Sequence, residues 1–270
     1  MYAHRGGAAL RPENTIAAFD HGLALGADGL EFDVHLSRDG TVVVHHDETL
    51  ERTTSGRGRL GDRTAGELAA IDAGYWFVPG SDAVTQSNLA HPPSPISAPE
   101  YPFRGKGIGI PTLREVLARY LHAHFIIELK VNDPALALRA IDDVRAAGAV
   151  ERAVFGSFWW RVLHAARACE PRIRTGAARE ETRWALYRSW VRWPLGRPKY
   201  DEFQVPERSG ATTIVTPQFV AHAHRADLPV KVWTVNDPAD MRRLIDWGVD
   251  ALITDRPDLA VEVAQSARNI

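Results

Sequence analysis

Gly29-Leu30-Glu31-Phe32-Asp33-Val34-His35-Leu36-Ser37-Arg38-Asp39-Gly40-Thr41-Val42-Val43-Val44-His45-His46 is the stretch that decides the fold. Its first half alternates polar and apolar residues, which predicts a strand over 29–35 with Glu31, Asp33 and His35 on one face and Leu30, Phe32 and Val34 on the other. Ser37-Arg38-Asp39-Gly40 leaves no room for a helix and reads as a hairpin turn into a second strand over 41–46. With the hairpin centred near 38–39, facing residues have numbers summing to about 77. His46 then pairs opposite Glu31, and His45 points away. Outward from this hairpin, short apolar runs alternate with helical patterns to both ends of the chain, the signature of a mostly parallel sheet with helical crossovers. Strands are predicted near 2–4, 124–130, 152–157, 172–176, 201–205, 230–235 and 250–254. Helices fit near 13–25, 112–121, 134–147, 158–169, 180–192, 217–226, 238–247 and 257–267. Asn132-Asp133-Pro134 and Asn236-Asp237-Pro238 start two of these helices through a capping carboxylate and a fixed φ. The hairpin brings the strand count to nine rather than eight, so the expectation is an irregular α/β barrel filling one domain of 270 residues.

Composition narrows the class further. With 45% hydrophobic and 24% charged residues the chain has ordinary globular usage. Its net charge of −2, from 34 acidic and 32 basic residues, argues against nucleic acid as a partner, because gripping phosphates usually needs a large basic excess. Cys169 is the single cysteine, which excludes an intramolecular disulfide and a thiolate-rich zinc site. No apolar run approaches the ~18 residues of a spanning helix, and Met1-Tyr2-Ala3-His4-Arg5 has no room for an apolar signal segment. A cytoplasmic location is the default expectation, with a leader ahead of residue 1 left open.

Three clusters carry chemistry. Glu31 and Asp33, two residues apart on a strand, form half of a hard-cation site, since Mg²⁺ and Ca²⁺ prefer oxygen ligands; a polar sheet face is the alternative. Inside a barrel, unpaired carboxylates are costly, which favours the metal. Glu128 and Lys130 share a face at the end of the apolar strand Phe125-Ile126-Ile127-Glu128-Leu129-Lys130, where they form either a local ion pair or a third metal ligand beside an anion-binding ammonium. His4-Arg5-Gly6-Gly7 follows a short first strand, and in a barrel this places His4 and Arg5 at the C-terminal rim, where active sites sit.

Together with Pro12-Glu13-Asn14-Thr15, Val44-His45-His46-Asp47, Ile110-Pro111-Thr112-Leu113, Gly156-Ser157-Phe158, Trp233-Thr234-Val235-Asn236 and Ile253-Thr254-Asp255-Arg256-Pro257, these pieces resemble the glycerophosphodiester phosphodiesterase family over nearly the whole chain. The resemblance implies an irregular (β/α)8 TIM barrel of the phosphatidylinositol-phospholipase type with an insertion at about 48–110. It implies a metal-dependent phosphodiesterase releasing glycerol 3-phosphate and an alcohol. Carried over residue by residue, it makes His4 and His46 the acid/base pair, and Glu31, Asp33 and Glu128 the ligands of one divalent cation, Mg²⁺ or Ca²⁺. Arg5 and Lys130 match the phosphate contacts. The metal and two cations would neutralise phosphodiester charge while the histidines exchange protons with the attacking and leaving oxygens. The attack comes from a neighbouring substrate hydroxyl or from water. Trp233 corresponds to an aromatic that often borders the substrate, with core packing as the equal alternative. His35 falls beyond the site, or serves as a peripheral ligand.

Two segments sit outside this pattern. Residues 79–107 hold Pro79, Pro92, Pro93, Pro95, Pro99 and Pro102, and read as an insertion lying over the molecule or a lid. Residues 183–200 hold Arg183, Arg188, Arg192, Arg197 and Lys199, no acid, and Trp184, Trp190 and Trp193. They suggest either packing or contact with lipid headgroups, which would favour a lysophospholipase D acting on lysolipids at a membrane surface. A non-catalytic barrel would require loss of a site residue, and all seven matched polar positions are filled. The oligomeric state is left open by the sequence.

Overall fold

The computed structural model describes residues 1–79 and 101–268. In chain order its main elements are β1 (Tyr2–His4), α1 (Ile16–Ala24), β2 (Gly29–Leu36), β3 (Val42–Val44), α2 (Ala65–Ala69), α3 (Leu113–Arg119), β4 (His124–Leu129), α4 (Pro134–Ala146), β5 (Ala153–Gly156), α5 (Trp160–Cys169), β6 (Arg174–Thr175), α6 (Arg179–Trp190), β7 (Phe203–Pro206), β8 (Arg208–Ser209), β9 (Thr212–Thr213), α7 (Pro217–His224), β10 (Val230–Trp233), α8 (Pro238–Asp246), β11 (Ala251–Thr254) and α9 (Pro257–Arg268). Parallel strands follow one another in the order β6-β5-β4-β2-β1-β11-β10-β7. Gly176 then bridges Glu202 in parallel, which joins the two ends of that order. The fold is the irregular (β/α)8 TIM barrel expected from the sequence.

Alternation on β2 sorts the two faces. Leu30, Phe32 and Val34 pack outward in one cluster with Phe125, Ile127 and Leu129 of β4 and with Phe19, Leu113, Leu136 and Val162 from the surrounding helices. Each such buried side chain stabilises the fold by roughly 1.5–3 kcal/mol. The opposite set, Glu31, Asp33 and His35, is equally buried but faces the barrel interior. Helix starts follow the capping chemistry: Asp133 accepts from Ala135 N, and Asp237 from Ala239 N and Asp240 N, each followed by proline. After β1 the chain folds back onto α1 through Gly6 at φ +86°, where a Cβ would come within 2.7 Å of Ala18 Cβ.

The hairpin differs from expectation in register. Val34 pairs with Val44, His35 with Val43 and Leu36 with Val42, so facing numbers sum to 78, and β3 stops at Val44 instead of reaching 46. The cause is the turn: Ser37 N donates to the Thr41 carbonyl and Gly40 N to the Ser37 carbonyl, with Gly40 at φ +73°, so three residues rather than two occupy the loop. His46 therefore does not pair opposite Glu31. Beyond β3, Leu50, Leu60, Leu68, Ala73 and Ile110 form a small separate core against Val43. Of the proline-rich stretch 79–107, residues 80–100 lie outside the described residues. The hairpin β8–β9 and the short helix α2, which periodicity did not predict, complete the additions.

Candidate active site

Strand neighbours assemble the site. Parallel register sets His4 beside Glu31 between β1 and β2, and Asp33 beside Glu128 between β2 and β4. Oxygen atoms of Glu31, Asp33 and Glu128 all lie within 4.8 Å of one another. Lys130 Nζ stands 3.2 Å from Glu128 Oε1 and 3.4 Å from Asp33 Oδ1. Arg5 donates its backbone N–H to Glu31 Oε2 (3.2 Å) and its Nη1 to Glu13 Oε1 (3.0 Å). Its Nε is 3.3 Å from Asp33 Oδ2, yet is buried without a hydrogen-bond partner. Burial acts against the Arg5 charge, but the Glu13 and Asp33 carboxylates outweigh it and keep the guanidinium protonated.

Charges in this cluster hold each other out of balance. Burial pushes the Glu31 carboxyl up to about 8, and the like charges of Asp33 and Glu128 add to it. Burial also acts against the Asp33 carboxylate, but Lys130 and Arg5 outweigh it and hold the group below its ordinary range. A hard divalent cation suits this donor set, which is oxygen throughout and carries one carboxyl that cannot ionise easily alone.

Two histidines face the same space. His4 Nδ1 is 2.6 Å from Asp255 Oδ1, with Nε2 3.8 Å from Glu31. Burial works against its protonation, but Asp255 and Glu31 outweigh that and raise its pKa. His46 Nδ1 is 2.5 Å from Asp47 Oδ1. A pocket of about 130 Å³ is lined by His4, Arg5, Glu31, His46, Glu128 and Lys130, with Phe158 and Trp233 at its side. Trp233 meets Phe158 edge-on at 6.0 Å, so it borders the pocket and is not closed into the core.

Had β3 continued in its actual register, His45 rather than His46 would share the face of Glu31. Instead β3 ends at Val44, and the chain bends away once the His45 N–H has met the Asp33 carbonyl at 3.0 Å. The bend turns His46 into the pocket while His45 is buried, its Nε2 3.2 Å from the Thr49 carbonyl. Burial pushes the His45 imidazole down to about 4. Its folded state therefore disfavours the proton that the unfolded chain takes up near 6.5, so stability is full above that pH and falls as pH drops toward 4. We expect a loss on the order of 3 kcal/mol over that window. Replacing His45 with Asn should flatten the dependence in chemical-denaturation curves measured at pH 7 and pH 4.5; an unchanged slope would assign the acid sensitivity to other groups.

Of the residues that position the site, Asn14, Asp47, Asn236 and Asp255 were visible in the sequence only as matched letters, and Arg52 not at all. Asn14, at φ +58°, donates its Nδ2 to Asp33 Oδ2 at 2.9 Å. Arg52 grips Glu13 with Nη1 (2.9 Å) and Nη2 (2.6 Å) and Asp47 with Nε. Through Glu13 it reaches Arg5, and through Asp47 it reaches His46. Asn236 Nδ2 donates to Asp255 Oδ2 at 2.9 Å. His35 places Nε2 3.0 Å from the His46 carbonyl, so it braces the bend.

Residues 4–259 match the model of the glycerophosphoryl diester phosphodiesterase family. A glycerophosphodiester phosphodiesterase of Bacillus subtilis is 31% identical over 95% of this chain and 83% of its own length. Another, from Caldanaerobacter subterraneus subsp. tengcongensis, is 29% identical over 98% of this chain and 97% of its own. The crystal structure of a glycerophosphodiester phosphodiesterase from Agrobacterium tumefaciens superposes with a TM-score of 0.74 at 28% identity, covering 97% of this chain and 98% of that one. Matches of this extent establish that the chain belongs to the glycerophosphoryl diester phosphodiesterase family.

Proposed function

We propose that this enzyme is a metal-dependent hydrolase of glycerophosphodiesters, releasing glycerol 3-phosphate and an alcohol from a single barrel domain whose residues 48–110 are an insertion. The observation that carries the reading is the convergence of Glu31, Glu128, two cationic side chains and two carboxylate-backed histidines on one pocket of about 130 Å³, with an Asp33 oxygen within 4.8 Å of those of Glu31 and Glu128. Glu31, Asp33 and Glu128 would hold one Mg²⁺ or Ca²⁺. Such an ion, when bound, supplies Lewis-acid stabilisation of charge on the phosphoryl oxygens. Arg5 and Lys130, which line the pocket, bind the remaining phosphate oxygens. Asp255 and Asp47 each occupy the Nδ1 of one histidine, which leaves Nε2 of His4 and His46 for proton exchange. One imidazole takes the proton of the attacking oxygen and the other gives a proton to the leaving oxygen. Product analysis with glycerophosphocholine and glycerophosphoinositol, with and without chelator, tests the reading: glycerol 3-phosphate should form only with the metal present, and its absence from both substrates under both conditions would refute it.

A second substrate, lysolipid at an anionic membrane surface, is favoured by one observation. The tryptophans of 183–200 are not packed: Trp184 is 65% exposed, Trp190 56% and Trp193 65%. Trp184, Tyr187 and Trp190 touch in series along one face of α6, as helical spacing predicts. Arg188 is not a free surface cation, since its Nη1 donates to the Pro194 and Leu195 carbonyls. Arg192 and Arg197 are exposed and suit the test better. Each charge near an anionic surface contributes about 1 kcal/mol, weakened by salt. Arg192→Glu with Arg197→Glu should lower binding to phosphatidylserine vesicles at low salt by at least about tenfold while sparing hydrolysis of soluble glycerophosphocholine. No binding by the parent protein would eliminate the surface reading. Among the described residues no helix is long and apolar enough to cross a membrane.

A further inference from the structure

The catalytic pocket opens sideways into a second cavity of about 520 Å³, and Glu128, Phe158, Gln204 and Trp233 line both. Three kinds of group meet in its wall. Phe158, Tyr187, Trp190 and Trp233 contribute aromatic rings, whose negative quadrupole attracts polarised C–H groups. Gln204 is held by Nε2 donating to Glu202 Oε1 at 2.8 Å, which leaves Oε1 as an acceptor. Room for that amide comes from Gly156, where a Cβ would stand 2.5 Å from Gln204 Oε1. The third kind is a pair of guanidinium groups, Arg179 and Arg183, one turn apart on α6.

Among the described residues neither arginine makes an ion pair. Their neighbours differ: Arg167 is bound by Glu181, and Arg188 by two carbonyls. Arg179 lies over the Phe158 ring at 5.2 Å, at the junction of the two cavities. Like charges at i and i+4 repel, so an anion in the cavity would be drawn to both groups at once.

We propose that the second cavity receives the leaving alcohol, and that this alcohol is an anionic polyol whose hydroxyls meet Gln204, whose C–H face lies on the aromatic rings and whose negative group meets Arg179 and Arg183. The proposal rests on the phosphodiesterase reading above and names its substrate class. The aromatic rings alone would also accept a choline cation, and it is the two guanidinium groups that oppose it.

Glycerophosphoinositol and glycerophosphoinositol 4-phosphate differ only by the second phosphate, and glycerophosphocholine supplies the contrast. The parent enzyme should prefer the phosphorylated diester by about tenfold in kcat/KM, the scale of one charge-assisted hydrogen bond, with the preference shrinking in salt. Arg179→Gln with Arg183→Gln should bring the ratio of the two inositol substrates close to one; both side chains are exposed, so the fold is not at stake. A parent ratio of one or less, or a ratio that the double variant leaves unchanged, overturns the subsite while hydrolysis of glycerophosphocholine leaves the phosphodiesterase reading standing. Failure to cleave any of the three overturns both.

Discussion

Exhaustive chelation is expected to lower kcat by about three orders of magnitude, the rate equivalent of ~4 kcal/mol of lost charge stabilisation. Restoring Mg²⁺ or Ca²⁺ in parallel should recover activity and show which ion the site prefers. The electrostatics give this prediction a second readout. Burial, together with Asp33 and Glu128, puts the Glu31 carboxyl near 8, above its ordinary 4.5, so at pH 7 the metal-free protein carries a proton there. A cation must displace it, so binding should release close to one proton, measurable by calorimetry in buffers of different ionisation enthalpy. The sign for stability follows: the folded state binds more protons than the unfolded one between pH 4.5 and 8. Without cation, the Glu31 contribution to stability therefore falls as pH rises through that window, opposite in sign to the His45 contribution below pH 6.5, and added metal should offset the fall. Asp33→Asn should abolish both the proton release and the metal-induced rise in Tm. Full activity after chelation, or metal binding without proton release, would show that the three carboxylates are a structural cluster.

What the sequence could deliver was whatever repeats locally. Alternation on 29–35 put Glu31, Asp33 and His35 inward, and Asp133-Pro134 and Asp237-Pro238 marked helix starts, because strand parity and capping act within a few residues. Register did not follow. Asp33 meets Glu128 because β2 and β4 are neighbours, a fact fixed by barrel packing between residues 95 apart in sequence number. Asp255 was present as a matched letter, but its contact with His4 spans 251 residues and exists only once β1 pairs with β11. Arg52 was invisible for another reason: nothing in Glu51-Arg52-Thr53-Thr54 distinguishes a solvated arginine from one that joins Glu13 to Asp47. Helical spacing on 184–191 found the aromatic face correctly but could not say whether a neighbour covers it. The hairpin error was small in number and large in principle, since a third loop residue shifts every pair by one. His46 reached the pocket through the bend after Val44, a feature that strand parity does not describe.

Truncating either histidine is the other large effect. His4→Ala and His46→Ala should each reduce kcat by ~10²–10⁴ with KM changed little, because a general acid or base acts in the transition state and contributes little to ground-state binding. The geometry adds an ordering among the supporting residues. Asp255 is held at 2.6 Å from His4 and steadied by Asn236, while Asp47 is held by Arg52 beside His46. Asp255→Asn and Asp47→Asn should therefore each lower kcat less than loss of the histidine itself, and each should move the pH–rate profile, since the carboxylate sets the orientation and charge of its imidazole. His45→Ala is the internal control. That ring is buried against the Thr49 carbonyl, so its loss should appear in unfolding curves and leave kcat of the folded enzyme within a few-fold of the parent. Circular dichroism on every variant separates the two effects. Should His45→Ala lose as much kcat as His46→Ala with folding intact, the bend after Val44 would be aiming the wrong ring, and the pairing of His4 with His46 as proton carriers would have to be abandoned.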